Sequence, residues 1–275
     1  MMETTVTDNP RLWRLNMLVE GNTLHAVMTS TVADSSLIYR RLPLDSSLPL
    51  HKALEETVYA NPELLADFGK INILSDTASY TLVPDDYDGD AADIADITQI
   101  GRGNDIDIAV NADPSASGAK VIWTMPQDAQ LFLARTFRNA PMRHTMTVLL
   151  TYLQRRGALS NRAKVFAHLR DGVPHRADII AYDAAGQLRT ATSKVWENDN
   201  DILYYTLAAS RTASFDVETD ELLLLGDNVL RHSVTPLLSR YVRHVMPMIF
   251  PSAALRAGKE AFIAPFPLII LPLCE

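Results

Sequence analysis

The densest group of potential metal ligands is Asp86-Tyr87-Asp88-Gly89-Asp90, a run that invites calcium chemistry. With Gly89 at the sixth place of a calcium loop, the first place is Pro84 and the twelfth is Ala95. The bidentate acid such a loop needs is therefore missing, and a solvated acidic loop is expected. The seven histidines are scattered, with no HExxH and no Cys/His spacing suited to zinc. His168 and His175 flank a turn where they could meet an anion, although surface positions are expected for both. His144 begins a predicted helix and is read as structural. Cys274, the single cysteine, has no sequence neighbour that would lower its pKa, so a buried thiol is expected. Neither G-x-S-x-G nor G-x-x-x-x-G-K-[ST] occurs. Trp13, Trp123 and Trp196 fall in predicted strands and are read as core. No metal site is assigned.

The elements that must position any site follow from periodicity. Residues 11–20 and 22–31 alternate as strands around the turn Glu20-Gly21-Asn22, and a third strand covers about 36–43. Pro49 opens a helix with Leu50, Leu54 and Val58 on one face. A short helix over PELLAD ends at Gly69, and KINIL and SYTLVP are strands. The acidic region 84–104 has a helix in its middle. Strands at DIDIAVN and KVIWTM precede a helix opened by Pro126, with Leu131, Ala134 and Phe137 inward and Leu133 flanking them. A helix from His144 places Met146, Leu149, Leu150 and Leu153 on a stripe, with Gly157 as its stop. The pattern then restarts: strands AKVFAHL, ADIIAYD and QLRTATSKVW, then a helix capped by Asn200 or Asp201. ELLLLGD is a strand with a continuous apolar run, as expected at the centre of a sheet covered on both faces. A helix interrupted at Pro236 and the strand HVMPMIF follow. The apolar run 262–274 is too short to span a bilayer and holds three prolines, so core-filling chain or a short helix is expected.

Composition and charge narrow the function classes. The 275 residues are 47% hydrophobic and 21% charged, which suits a globular protein with a large core. A net charge of −8 argues against a dedicated DNA or RNA binder. Residues 129–170 nevertheless hold no acid and eight cations, from Arg135 to Arg170. A solvated helix face is the simplest account, and an anion-binding surface is the sharper one. The opening residues MMETTVTDNP do not look like a signal peptide, and one cysteine excludes an internal disulfide. A cytoplasmic location without membrane contact is expected.

The order of three hairpin strands, helix, buried strand and helix occurs twice. It resembles the actin-like ATPase superfamily, which includes hexokinase-type sugar kinases, Hsp70 and the pilus-assembly proteins of the PilM and GspL type. A closer resemblance rests on YTLVP at 80–84, VIWTMP at 121–126 with His144 downstream, NDNDILYY at 198–205, ELLLLGD at 221–227 and the final Leu273-Cys274-Glu275. In that order these motifs are similar to the domain of unknown function 3822 family, described as actin-like. The resemblance implies an α/β fold of two duplicated βββαβα(β) ribonuclease H-like halves, 1–157 and 158–275, with an interdomain cleft where ligands commonly sit. It implies no activity, since fold alone does not give function.

Actin-like ATPases hold phosphates on two strand–turn–strand loops built around Asp-x-Gly. Glycine lets backbone N–H groups approach the phosphate, and the aspartate organises Mg²⁺. Carried onto this chain, the resemblance makes Glu20 and Asp171 the candidate catalytic residues. Gly21, Asn22, Thr23, Gly172, Gly226 and Asp227 become candidate cofactor-binding residues, with ATP and Mg²⁺ as the cofactor. Each site departs from the pattern. Aligning Leu24-His25-Ala26-Val27 with the family's second strand puts Leu18 where the acid belongs, and Glu20 repels phosphate unless Mg²⁺ intervenes. Pro174 removes a donor from the second turn. The adenosine-side turn has one glycine in place of a pair, and Asp227 or Asn228 is expected to cap the next helix. The chain has only 11 glycines, none in a glycine-rich loop. A pseudo-ATPase or weak nucleotide binder acting through a protein partner is expected. The alternatives are an active ATPase or small-molecule kinase using Asp171, Glu20 and Asp227, and an RNA- or anion-binding adaptor using 135–170.

Overall fold

The computed structural model describes residues 9–32, 36–101, 107–156, 161–172, 174–252 and 256–275. Two compact units divide the chain: Met1–Pro114 with Lys120–Val148 and Pro251–Glu275, and Ser115–Ala119 with Leu149–Phe250. In the first, β1 (Trp13–Glu20), β2 (Thr23–Ser30) and β3 (Leu37–Pro43) precede α1 (Leu50–Ala60) and β4 (Lys70–Asp76). Then come β5 (Tyr80–Pro84), α2 (Ala91–Thr98), β6 (Ile108–Pro114), β7 (Ala119–Pro126), α3 (Gln127–Thr136), β8 (Met142–His144) and the start of α4 (Thr145–Arg156), which from Leu149 on belongs to the second unit. The main sheet runs β3-β2-β1-β4-β8, and β5-β7-β6 form a second, smaller sheet. The three leading strands are antiparallel, whereas β4 lies parallel to β1 and β8 parallel to β4.

The second unit has β9 (Lys164–Arg170), β10 (His175–Tyr182), β11 (Leu188–Trp196), α5 (Asp199–Thr212), β12 (Glu221–Gly226), α6 (Asn228–Leu238) and β13 (His244–Pro247). Its sheet runs β11-β10-β9-β12-β13, the same order met in the first unit. Val165, Ala167 and Leu169 of β9 and Ala177, Ile179 and Ala181 of β10 form one core with Ile202 and Ala209 of α5 and Val234 and Leu238 of α6. Burial within the sheet explains why β12 carries the apolar run Leu222–Leu225, and why β9 is buried from Val165 to Leu169 with His168 as its one polar side chain in that stretch.

Several sequence expectations are corrected. In α3 the buried stripe is Ala129 and Leu133, continued by Phe137 at its end, while Leu131 is 41% exposed. Steps of four residues keep one face inward, and Leu131 lies about 200° around the helix from Ala129. The cap of α5 is Asn198, whose side chain accepts from the Asn200 N–H while the Asp201 carboxylate takes the Asn198 N–H. Pro236 does not interrupt α6, which continues to Leu238. A proline this near the end forfeits one backbone bond and leaves the preceding turns intact. The three-residue strand β8 precedes a helix expected to begin at His144, and it is too short to show a period. Gly157 lies outside the described residues. The run 251–275, read from sequence as part of the second half, packs within the first unit. It contains α7 (Phe266–Ile270), wholly buried. Glu275 anchors its end: Oε1 accepts from Asn72, and Oε2 pairs with Arg14 and Lys70.

Candidate nucleotide-binding turns

In the first unit, β1 and β2 pair residue for residue from Trp13↔Ser30 to Glu20↔Thr23. Only Gly21 and Asn22 lie outside the ladder. Gly21 has φ +52° and Asn22 a negative φ, the arrangement of a tight hairpin turn that favours glycine first. The Asn22 carbonyl accepts from the Leu44 N–H at 2.8 Å. Leu18, at the place of the family's acid, is buried.

Beside this turn the sheet gathers polar groups that sequence did not single out. Glu20 sits in register with Asp76 at the end of β4. Asp76 is buried and accepts from Thr145 Oγ1 at 2.8 Å. Its only sequence signal is an acid closing a buried parallel strand, the end of a strand where α/β sheets place ligands. His25 Nδ1 lies 2.8 Å from the Tyr39 hydroxyl, and its Nε2 lies 3.5 Å from Glu20 Oε2. Burial, reinforced by the Arg41 charge, holds the imidazole down to about 4. Tyr39 is pushed up, first by burial.

Behind these residues, Asp113 on β6 accepts from the His144 N–H at 2.6 Å, Trp123 Nε1 at 2.9 Å and Thr147 Oγ1 at 3.2 Å. Burial raises its pKa, and the three donors only partly oppose it. His144 Nδ1 accepts from the Met146 N–H, so Nε2 carries the proton and donates to the Thr77 carbonyl at 2.9 Å. His144 is thus a bracket between β5's approach and the start of α4, in line with its structural reading.

In the second unit the β9–β10 turn and the end of β12 share one edge of the sheet. The Asp227 N–H donates to the Leu169 carbonyl at 2.9 Å, next to the start of the turn. Asp171 is 72% exposed, 3.5 Å from His175 Nδ1, and His175 stacks on Trp196. A Cβ on Gly172 would meet nothing nearer than the Pro174 carbonyl oxygen at 3.5 Å. Gly226 differs: it has φ +88°, and a Cβ there would lie 2.0 Å from the Leu169 carbonyl oxygen. Its lack of a side chain serves strand packing. Asp227 accepts from the Leu230 N–H at 2.9 Å and caps α6.

His168 is corrected from a surface position to a buried one. Its Nδ1 lies 2.9 Å from Asp178 Oδ2, while Asp178 Oδ1 accepts from Ser193 Oγ at 2.5 Å and from Arg170 at 3.3 Å. Burial pushes this carboxylate up, yet the Arg170 charge and the His168 and Ser193 hydrogen bonds outweigh it and hold the group below the usual range. Here the acid lies between the histidine and the serine, an order that differs from the serine–histidine–acid relay of a nucleophilic triad. The cations of 135–170 divide similarly: Arg138 pairs with Asp67, Lys164 with Glu221 and Arg170 with Asp178. In the acidic loop, Asp90 caps α2. Among the described residues no group of three His, Cys, Asp or Glu side chains could hold a metal, and no helix is long and apolar enough to cross a membrane.

These units define a protein of the actin-like ATPase fold. A Bacteroides thetaiotaomicron VPI-5482 protein with that fold and unknown function is similar over 100% of both chains, at 18% identity and TM-score 0.78. A PilM–PilN type IV pilus biogenesis complex matches over 96% of this chain and 98% of that one, at 14% identity and TM-score 0.51. No curated protein matches. Residues 3–245 match the family model described as protein of unknown function (DUF3822), and the chain belongs to that family.

Two outcomes follow from this geometry. Gly226→Ala is expected to cost at least about 2 kcal/mol in urea denaturation, from the positive φ and the backbone overlap, whereas Gly172→Ala stays within about 0.5 kcal/mol. Equal effects would show that Gly226 is not held by packing. His25 has a folded pKa below its ordinary 6.5, so its contribution is complete above 6.5 and is lost as pH falls toward 4. Up to about 3 kcal/mol of pH-dependent stability is at stake in that window, and His25→Gln should flatten the profile there.

Proposed function

We propose that this protein is a pseudo-ATPase: an actin-like module that acts through protein contacts and does not turn over nucleotide. The observation that carries the reading is the commitment of the turn residues to packing. Gly226 seats β12 against β9, Asp227 caps α6, Leu18 occupies the acid position, and the first turn holds only Gly21 and Asn22 outside its ladder. Asp171 and Glu20 remain, one solvent-exposed and the other beside His25.

A protein contact is favoured by an apolar patch on the second unit. Tyr204 is 69% exposed and Val195 49%. Tyr205 links them, its ring edge-on to Tyr204 and its hydroxyl donating to the Val195 carbonyl. The PilM–PilN complex offers a precedent, on fold grounds, for an actin-like domain engaged with another protein.

Isothermal titration with Mg-ATP and Mg-ADP should give no saturable heat in the micromolar range, with no phosphate release. Micromolar binding accompanied by turnover that Asp171→Asn abolishes would replace this reading with an active ATPase or kinase.

A further inference from the structure

On the second unit, α5 carries no charged side chain from Ile202 to Ser210. Its inward face is ordinary: Ile202 and Ala209 lie in the core, with Thr206 and Ser210 buried beside them. The outward face is not. Asn200, Tyr204 and Ala208 recur at every fourth residue along one side of the helix and all are exposed, Tyr204 to 69%. Leu203 and Leu207, half-buried, flank that row. Other helices turn charge to solvent, as α1 does with Lys52 and Glu56 and α3 with Asp128 and Arg135. A helix uncharged on every side is the pattern of one that is covered on every side. Among the described residues, nothing of this chain covers the Tyr204 row.

Charge is confined to the two ends of this stretch and differs in sign between them. Glu197, Asp199 and Asp201 stand at the first turn of α5, and Arg211 in its last. Glu197 and Arg211 are exposed, and neither has an ion-pair partner among the described residues. An identical helix laid antiparallel on the row meets it with the opposite charge at both ends and with opposed macrodipoles. Setting Tyr204 over Ala208 of the second copy brings Arg211 level with Asp201 of that copy, because residue numbers in an antiparallel pair keep a constant sum. Ala208 supplies the small side chain over which the Tyr204 ring can settle.

We propose that α5 is a self-association surface: a second copy of this chain packs its own α5 antiparallel across the Tyr204–Ala208 row, around a twofold axis. The proposal rests on the reading of a module that acts through protein contacts, and it names the partner at that patch. The 14 residues of α5 make a strip about 21 Å long and about 10 Å wide. One helix pair of that size falls short of the roughly 1,200–2,000 Å² that a standard interface buries. The dimer is therefore a concentration-dependent one, with a dissociation constant on the order of 10 µM.

Sedimentation velocity of the full chain, from about 1 µM to about 300 µM, is the test. The weight-average mass is expected to climb from monomer toward dimer. Tyr204→Asp and Ala208→Glu, both at exposed positions, should weaken association at least about tenfold. Arg211→Glu should weaken it at low ionic strength and have less effect at high. Far-UV circular dichroism checks that the variants fold, and Tyr204→Asp decides alone if Ala208→Glu does not. Direction is read by oxidising a mixture of Tyr204→Cys and Ala208→Cys chains, which should cross-link faster than either chain alone; the native Cys274 is buried. A monomer at every concentration, a dimer unchanged in folded Tyr204→Asp, or a mixture that cross-links no faster would overturn the proposal. So would a monomer that binds a different protein through Tyr204. Turnover of Mg-ATP would remove the pseudo-ATPase reading and leave the dimer standing, whereas a monomer that binds no nucleotide would do the reverse.

Discussion

Each unit places a fourth strand parallel to its first strand, and this pairing constrains everything at the strand ends. β4 beside β1 and β12 beside β9 are flanked on both sides in the sheet, so their backbones must approach closely along their whole length. In the second unit the approach is tightest at Gly226, where the Leu169 carbonyl oxygen fills the space a side chain would need. A parallel strand is also reached only through a crossover, so a helix must begin or end near that same edge. Asp227 answers that need by capping α6. Residues at this edge therefore satisfy packing and capping before any ligand, and a glycine beside an acid there is no evidence of phosphate binding by itself.

The buried polar groups obey the same economy. Asp113 takes three donors from two different stretches of chain and so fixes where β8 gives way to α4. Asp178 ties β9, β10 and β11 together through His168, Arg170 and Ser193. Both clusters contain residue types used in catalysis, but every acid in them is spent on hydrogen bonds that hold strands. Unpaired, such groups would be costly in a low-dielectric interior, and their networks are stabilising only when complete. Asn16 departs from this rule, having one amide group satisfied at its oxygen and not at its nitrogen.

Much of the fold was legible in the sequence because both units rest on strong local signals. The tight turn at Gly21-Asn22, the alternating, β-branched sequence of β11 and the apolar run of β12 each specify an element without help from distant contacts. The rotation of α3 was not legible, because its two apolar stripes, one through Leu131 and one through Leu133, are equally periodic and only contact with the rest of the unit chooses between them. The site was harder to read. Asp76, Asp113 and Asp178 sit in strands that look like ordinary core, and their partners lie between eight and sixty-nine residues away in sequence. Asn16 gave no signal at all, since an asparagine in a buried strand becomes notable only when Asn72 is seen to claim its oxygen.

Glycine-selective ¹⁵N labelling gives the most direct measurement, because the chain has only 11 glycines and three of them mark the turns in question. Mg-ADP at millimolar concentration should leave the amide resonances of Gly21, Gly172 and Gly226 unmoved. Saturable shifts at Gly21 and Gly172 together would mean that these turns do receive phosphate, and the account of a silent actin-like module would be wrong.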